Sequence, residues 1–234
     1  MMDLFISEHF KGKLMGKELN IFNILHTRTS RKYIQRMQDD KIQCMQKARK
    51  FDFNFWDGDR KFGYGGYKYD GRWKIVAEKL IEQYSLTNTS KVLDVGCGKG
   101  FLLYELKLLL PNITVKGFDI SEYSIENTEV DIKNDLFIHK AQETYPFEDK
   151  EFDLVISLNT LHNLKVFELK KALQECQRVA QNGYIVVEGY RDEKELFNLQ
   201  CWALTCESFF RPDEWTWMYE EWGYTGDYEF IYFD

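Results

Sequence analysis

The run Val92-Leu93-Asp94-Val95-Gly96-Cys97-Gly98-Lys99-Gly100 is where the chemistry of this chain is most legible. A short apolar segment ends near an acid, three glycines alternate with other residues, and an apolar helical pattern follows at once. Glycines let a turn bring its backbone close to a ligand, and a helix N-terminus offers unpaired N–H groups. A dinucleotide site built on GxGxxG would need Gly or Ala where Phe101 stands. A phosphate-cradling P-loop would need Lys followed by Ser or Thr, and Asp94 would repel a pyrophosphate. Asp119 ends a second apolar run, Val115-Lys116-Gly117-Phe118. A carboxylate there suits a cis-diol, because its two oxygens can accept from two hydroxyls.

Asp94–Gly100 resembles motif I of the class I S-adenosylmethionine-dependent methyltransferases, VLDxGCGxG, and the likeness extends over about residues 91–188. The resemblance implies that Gly96, Gly98 and Gly100 wrap the methionine part of S-adenosyl-L-methionine while Asp94 accompanies its amino group. It implies that Asp119 grips the ribose hydroxyls and that Ile120 lies along the adenine. Where the family often has G-D-A-x-x-L-P-F, this chain reads Lys140-Ala141-Gln142-Glu143-Thr144-Tyr145-Pro146-Phe147, with Ala141 at the Asp position, which leaves the adenine amino contact to Gln142, Glu143 or the backbone alone. Phe152–Asn163 is similar to the family's FDxVxSxxxLHH, with Asn163 at the second histidine. That places Asn159 and His162 at the sheet edge beside the sulfonium methyl.

Of His9, His26, His139 and His162, only His162 falls at that edge. An alcohol is a poor nucleophile at neutral pH and benefits from a general base, so His162 is the candidate base for O-methyl transfer. Packing against cofactor, and a capping or core role, are its other readings. Glu188, at the end of Ile185-Val186-Val187, orients the histidine, holds the acceptor, or is an ion-paired strand-end acid. Nucleic-acid amino-methyltransferases carry [DNS]-PP-[YFW] after this strand, and metal-dependent catechol enzymes carry clustered acids there. Neither pattern occurs, so no metal and no nucleic-acid acceptor is expected.

The elements that must position these residues follow from hydrophobic period. Apolar strands at 91–95, 113–118, 136–139, 152–158 and 183–188 alternate with helices at 99–110, 121–134 and 165–180, the signature of a parallel sheet covered on both faces. The expected fold is α/β, a Rossmann-like doubly wound sheet of mostly parallel strands, with 213–222 helical and 228–233 a closing antiparallel strand. An N-terminal helical and loop extension, residues 1–73, precedes the cofactor-binding core at 74–234. Within it, Phe51–Trp73 holds nine aromatic residues and five glycines without helical or strand period. A loop so long and aromatic reads as a substrate lid, or as packing between extension and core. Tyr64, Tyr67, Arg72 and Trp73 are candidate acceptor contacts, with Lys68 beside them and Tyr190 and Arg191 completing the pocket. Aromatic faces stack on sugars and bases while Arg grips phosphate.

The chain has 234 residues, 44% hydrophobic and 29% charged, enough for a core and too apolar for wholesale disorder. The net charge of −7 disfavours nucleic-acid binding. Five cysteines without a CxxC pair suggest a reduced cytoplasm, and no apolar run is long enough for a membrane span. The charge is uneven: Arg28–Lys50 holds eight basic residues against two acids, and Thr205–Asp234 holds eight acids against Arg211. Ile34, Met37, Ile42, Met45 and Ala48 recur at helical spacing, so 28–50 reads as an amphipathic helix with a solvated basic face, or a site for a phosphate-bearing or acidic partner. The expectation is a cytoplasmic monomer or homodimer. It would move a methyl group to a hydroxyl of a small polar metabolite, favoured to be a nucleotide-activated sugar for surface glycan, and release S-adenosyl-L-homocysteine. N-methylation of a small amine or peptide side chain, and a non-catalytic cofactor-binding subunit, are the alternatives.

Overall fold

The computed structural model describes residues 15–26 and 31–234; His9 and Arg28 lie outside the described residues. In chain order the helices are α1 (Asn23–His26), α2 (Tyr33–Gln38), α3 (Lys41–Ala48), α4 (Phe53–Trp56), α5 (Lys74–Tyr84), α6 (Phe101–Leu109), α7 (Glu122–Glu126), α8 (Val166–Val179), α9 (Glu193–Trp202) and α10 (Pro212–Glu221). The strands are β1 (Lys91–Val95), β2 (Thr114–Asp119), β3 (Leu136–Ile138), β4 (Phe152–Leu158), β5 (Ala180–Glu188) and β6 (Asp227–Ile231). They form one six-stranded sheet in the order β3-β2-β1-β4-β5-β6. Strand order reverses between β1 and β4, and a crevice opens there at the carboxyl ends of the strands.

Side chains alternate across the sheet, as the strand period requires. Val92, Val115, Ile156 and Val186 pack on one face with Leu103 and Leu106 of α6 and Leu80 of α5. Leu93, Val95, Val155 and Ile185 pack on the other with Leu169 and Leu173 of α8 and Trp215 of α10. Both faces are thus covered, which is why these strands read as continuous apolar runs.

Three expectations need correction. The last strand is parallel to β5, with Ile185 opposite Tyr228 and Glu188 opposite Ile231, and all five pairings in the sheet are parallel. The cause is the connection: α9 and α10 carry the chain back to the starting end of the sheet, whereas an antiparallel neighbour needs only a short turn. The helix expected over 121–134 is α7, capped by Ser121 Oγ accepting the Ser124 N–H at 3.0 Å, followed by a 3-10 turn at Val130–Asp135. Between them Thr128 turns aside to donate its hydroxyl to Lys99 O.

The basic helix is two helices, broken at Asp39–Asp40 where Asp40 caps α3 by accepting from Gln43 N–H at 3.1 Å. The expected apolar face is split: Ile34, Met37 and Ile42 are exposed, whereas Ala48 is buried and Met45 half-buried, and Arg36 and Cys44, outside that face, are buried. Beyond β6, the segment before α1 extends the sheet by one bridge, Glu18 beside Tyr228, with Leu19 N–H donating to Tyr228 O at 2.8 Å. A covered edge strand is protected from stray pairing. Among the described residues no helix is long and apolar enough to cross a membrane.

Candidate active site

The turn after β1 takes its shape from positive φ at Gly96 (79°), Gly98 (56°) and Gly100 (72°). A side chain at any of them is strained. Gly100 N-caps α6, and a Cβ there would press on Ile132 and Leu136, so its smallness serves packing. A Cβ on Gly98 would stand 2.8 Å from the indole of Trp56. That indole donates to Ser121 Oγ at 2.9 Å and Phe51 O at 3.1 Å, and so closes the aromatic segment onto the β1 and β2 turns.

A cavity of about 450 Å³ opens at the crevice. Asp94, Gly96 and Gly98 line it from the β1 side, Asn159, His162 and Asn163 from the end of β4, and Glu188 from the end of β5. Tyr64, Tyr67, Arg72 and Trp73 close it from the extension. All of these but Asn163 are candidate site residues from the sequence, and they meet in one space.

Burial pushes the Asp94 carboxyl up to about 8, and the nearby Asp119 charge adds to the shift. Burial also raises Asp119, against hydrogen bonds that favour its charged form: Oδ2 accepts from Gly98 N–H at 2.8 Å and Oδ1 from Ser121 N–H at 2.9 Å. Burial lowers the pKa of His162, against the opposing charge of Glu188. His162 is therefore neutral at pH 7. Its Nδ1 accepts from Glu188 N–H at 3.3 Å, which leaves the proton on Nε2, 3.5 Å from Glu188 Oε2.

Residues 86–223 match the protein family described as a methyltransferase domain. The chain belongs to that family. It is similar to the demethylmenaquinone methyltransferase of Thermotoga maritima, 31% identical over half of each chain. It is also similar to the ubiquinone biosynthesis O-methyltransferase of Rickettsia bellii, 22% identical over 66% of this chain and 65% of that one. The chain thus spans about half to two-thirds of the length of these relatives. The YcgJ protein of Bacillus subtilis shares the fold, with a TM-score of 0.51 at 18% identity over 62% of this chain and 66% of that one.

S-adenosylmethionine is the cofactor of this methyltransferase family, and the site suits it. Two buried acceptors on cavity-lining residues, Asn159 Oδ1 and Asn163 Oδ1, find no hydrogen-bond donor among the described residues. Together with the Asp94 carboxyl they match a ligand that brings an ammonium and hydroxyl donors. Among the described residues no group of three His, Cys, Asp or Glu side chains is arranged to hold a metal ion.

Other expected residues lie elsewhere. Asp119 is buried behind Gly98 and Ser121 and does not line the cavity, and Ile120 beside it is exposed. Gln142 and Tyr190 are half-buried outside the cavity. Arg191 is bound to Glu195 and, at 2.9 Å, to Asp234, and it stacks over Tyr232. Arg72 reaches the cavity but is held bidentately by Asp70, while Lys68 is exposed outside it. The guanidinium expected to take an anionic handle is thus paired with Asp70 in this structure.

Conversely, Trp56, Arg31, Arg36, Arg60 and Trp202 line the cavity without having been singled out. Helix α9, which ends in Trp202, carried a usable signal: Asp192 caps it by accepting Glu195 N–H at 2.9 Å, and an Asp followed three residues later by Glu marks a helix start. Arg31 and Arg36 were hidden by the helical period, which assigned them to a solvated face.

Proposed function

We propose that the chain transfers a methyl group from S-adenosylmethionine to a hydroxyl of a small polar acceptor. The observation that carries this reading is the His162–Glu188 pair, which shares the cavity with Asp94 and Gly98. When bound, the cofactor supplies an electrophilic sulfonium methyl. Asp94 would hold its amino group, the turn at Gly96 and Gly98 would approach it with bare backbone, and Asp119 would take its ribose hydroxyls. Methyl transfer is an in-line displacement, so the chain contributes mostly placement and proton acceptance. The acceptor oxygen forms its bond to the methyl carbon as the sulfur–carbon bond breaks, and the hydroxyl proton passes to the His162–Glu188 pair. Glu188 Oε2 is the first acceptor within reach, since the His162 ring approaches it no closer than 3.5 Å and His162 Nδ1 already accepts a backbone N–H.

The acceptor favoured from the sequence is a nucleotide-activated sugar for capsule or lipopolysaccharide synthesis. The stacked rings of Trp56 and Tyr64, 5.3 Å apart and 5° from parallel, support an acceptor with a flat face. The names of the relatives favour a second reading, a hydroxylated quinone precursor, which the same rings would suit. Calorimetry with S-adenosylhomocysteine, then transfer of a labelled methyl group to panels of nucleotide sugars, hydroxylated quinone precursors and small amines, tests these readings. Binding lost in Asp119→Ala, with label found on oxygen, is expected. Label on nitrogen overturns the O-transfer reading, and absence of cofactor binding overturns the whole.

A further inference from the structure

Three guanidinium groups surround one indole. The central carbons of Arg31, Arg36 and Arg60 lie 5.4, 5.0 and 5.1 Å from the centre of the Trp202 ring. All four side chains line the cavity that contains His162 and Glu188.

Each is held in place by a separate contact. Arg31 donates to His26 O at 3.3 Å and to His26 Nδ1 at 3.0 Å, and His26 in turn donates from Nε2 to Tyr232 O at 2.8 Å. The imidazole is fixed as a neutral acceptor, because burial and the Arg31 charge lower its pKa to about 4. Arg36 donates to Arg60 O at 2.6 Å, and Arg60 to Gly63 O. Lys41 pins the end of α9 beneath Trp202 by donating to Cys201 O at 2.7 Å and Ala203 O at 2.6 Å.

Glu188 acts on Arg31, and Asp39 and Asp59 act on Arg36, through space. No carboxylate pairs with Arg36 or Arg60 among the described residues, and Arg36 Nε is buried without a hydrogen-bond acceptor. Partial burial lowers the pKa of all three arginines and the Arg60 charge lowers Arg31 and Arg36 further, outweighing Glu188, which raises Arg31, and Asp39 and Asp59, which raise Arg36. Attraction to one indole face offsets part of that repulsion. An oxyanion offsets it better, since a guanidinium fork matches two oxygens of a carboxylate or phosphate. An apolar or polyprenyl group in the same place would bury the charges without partners.

We propose that this part of the cavity is an anion subsite, and that the methyl acceptor carries a carboxylate or phosphate held by Arg31, Arg36 and Arg60 over Trp202. The proposal rests on the methyltransferase reading above and narrows it to anionic acceptors. It also moves the anionic handle from Arg72 to Arg31 and Arg36 of the basic segment and Arg60 of the aromatic one.

The test uses the full chain saturated with S-adenosylhomocysteine, titrated at low ionic strength with inorganic phosphate and separately with succinate. Saturable binding of at least one probe is expected, weakened at least about tenfold in Arg36→Gln and in Arg60→Gln. Affinity for S-adenosylhomocysteine should not change in either variant. Binding of phosphate alone identifies a phosphorylated acceptor, and binding of succinate alone a carboxylated one. A chain that binds S-adenosylhomocysteine but neither probe, or whose probe binding survives both substitutions, overturns the subsite and leaves the methyltransferase reading standing. Failure to bind S-adenosylhomocysteine removes that reading instead, while the same titrations on the free chain still report on the arginines. Should Arg36→Gln not fold, Arg60→Gln carries the comparison, because Arg60 is exposed at the cavity rim.

Discussion

Lys99 Nζ stands 2.6 Å from Asp57 Oδ2, joining the glycine turn after β1 to a segment 42 residues earlier in the chain. Both side chains are withdrawn from solvent, 5% and 17% exposed. Lys99 also donates to Tyr67 O at 2.8 Å, and Asp57 accepts from Tyr123 O–H at 2.7 Å and Tyr67 N–H at 2.8 Å. This latch holds the aromatic segment over the cavity.

Breaking the latch from one side should therefore cost stability. Burial works to raise the Asp57 pKa, but the hydrogen bonds from Lys99, Tyr123 and Tyr67 outweigh it and the net shift is downward. A depressed carboxyl contributes stability that is present above its unfolded value and is lost as pH falls through the folded one. Lys99→Met should lower unfolding free energy by about 2–3 kcal/mol at pH 7, because it leaves a partly buried carboxylate without its partner. The double variant Lys99→Met/Asp57→Asn should lose less than the sum of the singles. Urea denaturation of the four proteins measures the coupling, and strict additivity would dissolve the latch.

Asp94 should make cofactor binding pH-dependent. Its folded pKa of about 8 lies above the unfolded value, so the native chain retains a proton that the unfolded chain gives up. Stability of the free protein then falls as pH rises between those two values, and Asp94→Asn should flatten that fall. The ammonium of the cofactor needs the ionised carboxylate, so affinity should climb with pH until about 8 and binding at pH 7 should release a proton. Calorimetry in buffers of different ionisation enthalpy counts that proton. A pH-independent affinity would disprove the assignment.

The His162–Glu188 pair should govern turnover and leave cofactor binding alone. His162→Ala and Glu188→Gln should each lower kcat by about 100- to 10,000-fold, the usual worth of general-base assistance, with S-adenosylhomocysteine affinity unchanged. The lowered pKa of His162 keeps the ring neutral to more acid pH than an ordinary histidine. The acid limb of kcat/KM should accordingly fall below about 6.5. Wild-type turnover in both variants would reduce the pair to a structural contact.

Glu229 anchors the start of the described chain to the sheet. Its buried carboxylate on β6 accepts from the N–H groups of Ile21 (2.6 Å), Phe22 (3.1 Å) and Asn23 (2.6 Å), and from Tyr184 O–H. Glu229→Ala strands three backbone donors and should cost about 3–5 kcal/mol, whereas Tyr184→Phe, which removes one donor, should cost about 1–2 kcal/mol. Limited proteolysis should show faster cleavage before α2 in Glu229→Ala. Equal resistance in the two proteins would count against the anchor.

Sequence by itself determined the parts of this protein that depend on neighbours along the chain. The apolar runs became β1, β2, β4 and β5 within a few residues, because strand alternation and burial on both faces leave a local imprint. Asp94, the three glycines and the end of β4 were legible as one site because the carboxyl ends of adjacent parallel strands must lie together. Only the tertiary structure decided the rest. The direction of β6 depends on where α9 and α10 deliver the chain. The meeting of Arg31, Arg36, Arg60 and Trp202 joins segments distant in sequence and buries Arg36 while Ile34 and Met37 beside it are exposed. Trp56 reaches Gly98, and Asp57 reaches Lys99, across gaps in sequence that no local period records. Packing between distant segments fixes such contacts, and burial free energy does not distinguish near neighbours in sequence from far ones.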